Sequence, residues 1–177
     1  MDADKLYARY CELQSYLGWS ADDALRVQSV ASILAPCLPA LIDDFYAEIE
    51  RHPDARKVIT GGEQQISRLK QSLIRWLHEL LAGPYDQEYV FRGWRVGWRH
   101  VEIGLDQIYT NVALSRLRFG LLGALGQAWR GDQQSLVATI QSLNKLLLNR
   151  RSARLWIAAC LAWPGRLWRL FPYVTDQ

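Results

Sequence analysis

The spacing of apolar residues constrains this chain most strongly, because it follows the 3.6-residue period of an α-helix through almost its whole length. The clearest case is "LPALIDDFYAEIER", where apolar side chains recur in the i, i+3, i+4, i+7 pattern of one helix face. That stripe consists of Leu38, Leu41, Ile42, Phe45, Tyr46 and Ile49. No long stretch alternates with the period of two that is typical of a half-buried strand. The pattern therefore predicts an all-α fold.

Helix caps and helix breakers divide the chain into about seven predicted helices with short connections. "SADD" at Ser20–Asp23 resembles a capping box, and Asp106 can cap a later helix. The predicted helices span residues 3–17, 20–35, 38–51, 63–81, 87–99, 106–129 and 135–163. No internal boundary interrupts them, so residues 1–163 are predicted to form one domain and 164–177 a tail or the start of a linker.

The two halves of the chain differ in charge, although the net charge is only +3. Residues 1–88 contain nine Lys/Arg against fourteen Asp/Glu, whereas residues 89–177 contain twelve against four. The basic residues are spread along the predicted helices and form no single tract. A nucleic-acid partner is therefore not expected, and a carboxylated ligand or an acidic partner explains the excess better.

Cysteine use and hydropathy predict a soluble, cytoplasmic protein. The three cysteines are far apart and form no CxxC motif, which favours a reducing compartment. No basic-then-apolar leader opens the sequence. The most apolar stretch, "LWIAACLAW", has nine residues. That length is well short of the roughly 20 that a membrane span needs.

No common catalytic or metal motif is present, since the sequence lacks zinc-ligand spacing, a Walker loop, GxGxxG and GxSxG. The most unusual position is His100 in "RVGWRHVEIGL", between Gly97 and Gly104. Neutral imidazole is a common axial ligand of haem iron, and glycine lets a bulky group approach the backbone. From the residues alone, however, a buried structural histidine is the favoured interpretation.

Tyr46 is the second candidate, because it lies on the apolar stripe between Ile42 and Ile49. The ordinary interpretation is a buried ring whose hydroxyl bonds a backbone carbonyl. The alternative is a single donor that faces a ligand in an apolar pocket. The residues alone favour the first.

Three segments, taken in order, resemble the globin domain of globin-coupled sensors. "LIDDFYAEIERHPDARKVI" is similar to the family's distal helix, with its phenylalanine-tyrosine pair and following "HP". "ISRLKQSLIRWLHELLAGPYD" is similar to the distal E-type helix and its exit. The most specific segment is "YDQEYVFRGWRVGWRHVEIGLDQIYTNVALSRLR", which resembles the proximal region. The resemblance covers about Leu17 to Asn149 and implies a globin fold with an additional N-terminal helix and long C-terminal helices.

The resemblance also implies a cofactor, haem b, and roles for individual residues. His100 resembles the proximal iron ligand, and Tyr46 resembles the distal donor to a bound gas. Ser72 falls where some members have a second, weaker donor, and Tyr109 resembles a tyrosine that can contact the ligand histidine. The other expected haem contacts are Ile42, Phe45, Leu69, Leu73, Trp94 and Gly97.

The function implied is a haem-based gas sensor for O2 that also binds CO and NO. The domain itself is expected to have no catalytic activity and to pass its signal through a homodimer of its last two helices to an output. One alternative is a single-domain globin that stores O2 or oxidises NO. Another is a haem-free helical binding module in which His100 and Tyr46 are core residues.

Overall fold

The computed structural model describes the backbone of residues 2–162 and the side chains of residues 2–148. Its helices are Ala3–Tyr16 (α1), Ala21–Ser29 (α2), Ala31–Leu34 (α3), Leu38–Arg51 (α4), Pro53–Arg56 (α5), Gly62–Ala82 (α6), Gln87–Glu102 (α7), Gln107–Ala128 (α8) and Gln133–Ala162 (α9). Residues 2–162 contain no strand, so the predicted all-α class is confirmed. The predicted domain limit at residue 163 and the tail 164–177 lie outside the described residues.

Two details of the predicted helices differ from the structure. The single helix predicted over 20–35 is divided, because α2 ends at Ser29 and a 3₁₀ turn, Ala35–Cys37, precedes α4. Pro36, which lacks an amide hydrogen, occupies that turn. The predicted connector after α4 also contains a helix, since α5 begins at Pro53.

Both ends of α7 are fixed by local hydrogen bonds. At its start, Asp86 accepts a hydrogen bond from the amide of Tyr89 at 2.8 Å. At its end, Gly104 has a φ of +68°, which a residue with a Cβ rarely adopts. The amide of Leu105 then donates to the carbonyl of His100, and that of Gly104 donates to the carbonyl of Val101. This is a Schellman motif, and it places His100 in the last turn of α7.

The helices pack in two connected groups. In the first, α4 packs against α5, α6 and α8; in the second, α7 packs against α1 and α9. The groups meet where α8 packs on α9. Although α6 and α7 follow each other in the chain, they are not among the closely packed pairs within the described residues. The distal candidates on α4 and α6 therefore lie in one group, and His100 lies in the other.

The contiguous run Ala21–Arg51 is long and apolar enough, by length and composition, to cross a membrane. In this structure the run is bent into separate helices, and its apolar residues form part of the core. The fully buried members are Val27, Val30, Leu34, Leu38 and Ile42. Core packing therefore accounts for the apolar character of these five positions.

A buried carboxylate connects the turn between α1 and α2 to α9. Asp23 is 3% exposed and completes the predicted capping box with Ser20. Ser142 donates to its carboxylate at 2.7 Å and Lys145 at 2.9 Å. Lys145 also donates to the carbonyl of Gly18 at 2.7 Å. Burial alone would raise the pKa of Asp23, but the hydrogen bonds from Ser142, Lys145 and Ser20 outweigh it and lower the pKa to about 2.

We expect Asp23→Ala to lower the free energy of unfolding by about 2–4 kcal/mol, because Ser142 and Lys145 lose their buried partner. Asp22→Ala is the matched control, since Asp22 is the exposed neighbour on the same helix turn. Urea unfolding of both variants and the parent measures the difference.

The effect of Asp23→Ala should also depend on pH. The folded-state pKa of Asp23 lies below its ordinary value of 3.8, so its stabilisation is present above that value and is lost as the pH falls through about 2. The gap in stability between the parent and Asp23→Ala should therefore narrow over that range. Equal stability of the Asp23 and Asp22 variants at neutral pH would contradict this account.

Candidate functional site

The ring of His100 is held in one orientation by its own helix. Its Nδ1 lies 2.7 Å from the carbonyl oxygen of Val96, one turn earlier on α7. A carbonyl only accepts, so Nδ1 is the donor, and the lone pair of neutral imidazole is on Nε2. A metal-binding histidine is commonly fixed in this way through its second nitrogen. Nε2 of His100 is therefore prepared to bind a metal.

The surroundings of His100 suit a flat apolar group better than a bare metal ion. Val96, Val101 and Ile103, all within four residues of His100, expose apolar surface. Among the described residues, no group of three or more His, Cys, Asp or Glu side chains could hold a metal ion. An iron bound at His100 would therefore need most of its ligands from a cofactor, as haem provides. The residues present fit a haem.

Tyr46 has the properties of a donor that lacks an acceptor among the described residues. It is 7% exposed, and its ring packs edge-to-face on Phe45 with centroids 5.2 Å apart. Its hydroxyl makes no hydrogen bond to any residue whose side chain is described. Burial raises the pKa of Tyr46 to about 12, so the phenol keeps its proton at neutral pH.

This state of Tyr46 differs from the ordinary one, in which a buried tyrosine bonds a backbone carbonyl. The hydroxyl oxygen of Tyr46 is not among the fully buried atoms that lack a hydrogen bond in the described residues, which are Trp76 Nε1, Trp94 Nε1 and Thr110 Oγ1. The phenol therefore has a proton that it could donate to a ligand entering this region.

Most of the predicted apolar contacts belong, like Tyr46, to the hydrophobic core of the described residues. Ile42 and Phe45 are buried in it, and Leu69, Leu73 and Trp94 are half-buried against it. Gly97 is buried on α7. The cluster joins α4, α6 and α7, which carry the distal and proximal candidates.

Ser72 and Tyr109 have other hydrogen-bond partners in the structure. Ser72 is exposed on α6, and its hydroxyl accepts from the guanidinium of Arg75 at 3.2 Å. The hydroxyl of Tyr109 donates to the carboxylate of Asp54 at 3.2 Å. Neither bond involves Tyr46 or His100, so the roles predicted for Ser72 and Tyr109 stay predictions.

Sequence reasoning missed two features of α7. Trp94 stacks with both Phe91 and Trp98, at centroid distances of 5.7 and 5.9 Å, and its indole nitrogen is buried with no acceptor among the described residues. The i, i+3, i+7 spacing of these rings could have indicated the stack. The Val96 carbonyl could likewise have been inferred, because it lies one helical turn before His100.

An all-α fold with a prepared histidine on one helix and a buried tyrosine on another is the arrangement of a haem-binding globin. The Protoglobin family model matches residues 6–149 of the chain. The chain therefore belongs to the protoglobin family. The family implies a haem cofactor and supports a haem-based globin function.

Solved structures confirm the predicted globin fold. The globin domain of the Geobacter sulfurreducens globin-coupled sensor matches with a TM-score of 0.77 and 22% identity, over 84% of this chain and 95% of that one. The ferric form of the E. coli DosC globin domain matches with a TM-score of 0.67 and 17% identity, over 83% and 97%. Its ferrous form gives a TM-score of 0.61. The resemblance to sensor globin domains is thus confirmed at the level of the fold.

His100→Ala should lose haem or hold it weakly, because the side chain that would bind the iron is removed. His52→Ala and His78→Ala are the controls, since both histidines are exposed and should not affect haem binding. His52 is a stringent control, because its Nδ1 also lies 2.9 Å from the backbone carbonyl of Glu48, one turn earlier. The ratio of Soret to protein absorbance measures retention, and equal ratios in all three variants would show that His100 is the wrong ligand.

Proposed function

We propose that this chain is a haem-based gas sensor domain that binds O2, and also CO and NO, at haem b. The observation that carries the proposal is a pair of side chains in one fold. His100 has an oriented imidazole on α7, and Tyr46 has a largely buried ring on α4 whose hydroxyl makes no hydrogen bond among the described residues. The imidazole suits the iron, and the hydroxyl suits a gas bound to the iron.

Bound haem would supply an iron with one coordination position open to a diatomic gas. The chain supplies the surroundings of that position. Nε2 of His100 would bind the iron while the Val96 carbonyl fixes the ring. The apolar cluster around Ile42 and Phe45 would limit the access of water to the gas.

Tyr46 would decide which gas binds best. Its hydroxyl donates a hydrogen bond that stabilises a polar ligand such as O2 more than the less polar CO. Such a bond contributes about 1–2 kcal/mol, or roughly tenfold in affinity. Because burial raises the pKa of Tyr46 to about 12, the donor keeps its proton across the physiological range.

Tyr46→Phe should therefore speed O2 dissociation at least several-fold, with a smaller change in CO binding. Tyr89→Phe is the matched control, because Tyr89 is also buried in the core but lies near the start of α7. Stopped-flow displacement of O2 by CO measures the rate. An O2 dissociation rate that Tyr46→Phe leaves unchanged would remove Tyr46 from the role of distal donor.

An exposed apolar stripe on α8 supports a homodimer. Ile108, Val112 and Phe119 are 58%, 61% and 69% exposed, and their spacing places them on one face of the helix. Gly123 and Gly126 continue that face, and a Cβ at either would meet nothing within 4 Å. Another helix could approach closely there.

We propose that a second copy of this chain covers the α8 stripe, and that α8 and α9 of both copies form the interface. A twofold axis would pair each stripe with its equivalent, and the apolar faces would bury each other. A globin that only stores O2 has no need of such a surface. The stripe therefore favours sensing over storage, with the ligand state passed across the dimer to an output.

Phe119→Glu should shift the protein towards the monomer, because the most exposed apolar side chain of the stripe becomes a charge that the interface would bury. Leu25→Glu is the control, since Leu25 is 63% exposed on α2, away from the stripe. Sedimentation velocity over a range of concentrations measures both. The proposed interface would be wrong if the two variants and the parent had the same mass.

A further inference from the structure

The side of α4 that faces away from Tyr46 is held by one arginine of α8. Asp44 and Glu48 each lie two residues from Tyr46, which corresponds to about 200° around the helix. Arg116 donates from Nε to one carboxylate oxygen of Asp44 and from Nη2 to the other, both at 3.0 Å. Its Nη2 is also 3.5 Å from the carboxylate of Glu48. The guanidinium thus spans one full turn of α4.

A close backbone contact lies one turn further along α8. A Cβ on Gly120 would overlap Cδ1 of Leu41, so glycine lets the Leu41 side chain pack directly on α8 in this rotamer. Leu41 was predicted on the apolar stripe with Tyr46, but it is only half-buried and lies nearer to Asp44, three residues later, around α4. Two successive turns of α8 therefore hold α4. Lys70 of α6 adds a third contact, since its Nζ donates to Asp43 at 2.7 Å.

We propose that Arg116 is a positioning residue for Tyr46, because it fixes the rotation of α4 about its own axis. This inference rests on the proposed role of Tyr46 as the donor to the bound gas. A tyrosine hydroxyl lies roughly 8–9 Å from the axis of its helix, so a rotation of about 10° moves it by about 1.5 Å. A shift of that size breaks a hydrogen bond, whose length varies by only a few tenths of an ångström.

The ion pair of Arg116 is better suited to orienting α4 than to stabilising the folded protein. The side chains of Arg116 and Asp44 are 40% and 57% exposed, so solvent screens their ion pair and it contributes little to folding. A planar guanidinium that binds both oxygens of a carboxylate nevertheless sets a direction, which the point charge of a lysine does not. Loss of the pair should therefore leave the protein folded but allow α4 to turn.

The experiment compares Arg116→Gln, Arg116→Lys, Asp44→Asn and Tyr46→Phe in the haem-loaded protein. The control is Arg118→Gln, because the guanidinium of Arg118 lies over the ring of Phe119 and forms no ion pair within the described residues. The measurements are the O2 dissociation rate, the C–O stretching frequency of the CO complex and hydrogen–deuterium exchange of the α4 amides. The last of these does not depend on gas binding.

Arg116→Gln should speed O2 dissociation about three- to tenfold, the range available from weakening one hydrogen bond. It should also move the C–O frequency towards that of Tyr46→Phe and speed amide exchange in α4. Asp44→Asn should have the same effects as Arg116→Gln. The double variant Arg116→Gln/Asp44→Asn should release O2 no faster than either single variant. Arg116→Lys should give an intermediate result, and Arg118→Gln should match the parent.

The decisive comparison is Arg116→Gln in the Tyr46→Phe background. A positioning role predicts that the second substitution then leaves O2 dissociation unchanged, because there is no hydroxyl left to misplace. If Arg116→Gln has no effect alone, or the same effect in both backgrounds, the positioning role is overturned and the role of Tyr46 stands. If Tyr46→Phe itself leaves the O2 dissociation rate unchanged, the proposed donor fails and the positioning role fails with it.

Discussion

The site depends on holding two helices at a fixed separation although they do not pack closely on each other. α4 carries Tyr46 and α7 carries His100, and this pair is not among the close helix contacts of the described residues. The separation is set indirectly, since α4 packs on α8, α8 on α9, and α9 on α7. A flat cofactor between α4 and α7 would meet walls whose distance is defined by other helices. Such a framework can accept a ligand without first breaking a helix interface.

Two largely buried polar residues, Asp23 and Tyr46, differ in their hydrogen bonds and in the direction of their pKa shifts. Asp23 has hydrogen bonds from three residues, and they lower its pKa to about 2 in spite of burial. Tyr46 is nearly as buried but has no acceptor among the described side chains, and burial alone raises its pKa to about 12. The carboxylate of Asp23 therefore holds α9 in place, whereas the phenol of Tyr46 keeps a proton that it could donate to a ligand.

Local sequence predicted the helices, because periodicity and caps act over one or two turns, whereas the roles of His100 and Tyr46 were implied only by the family resemblance. Leu38, Ile42, Phe45 and Tyr46 are buried as their spacing indicated, and Asp106 does cap α8. Local patterns do not predict contacts between residues that are far apart in the sequence. Nothing local to Arg116 indicates Asp44, 72 residues earlier. The lack of an acceptor for Tyr46 is likewise a property of packing, since it depends on every neighbour that the fold brings near.

Two adjoining faces of α8 make different contacts, and this bears on how a signal would travel in the proposed dimer. One face holds α4 through Arg116 and Gly120, and the exposed face beside it carries the stripe that includes Val112 and Phe119. A helix moves largely as one body, so a change in the rotation of α4 and a change at the stripe cannot be independent. Coupling between two sites requires that the ligand favour one of two arrangements of the element between them. In the proposed dimer α8 would be that element for the distal side, because it packs on the tyrosine helix α4 and also carries the exposed stripe.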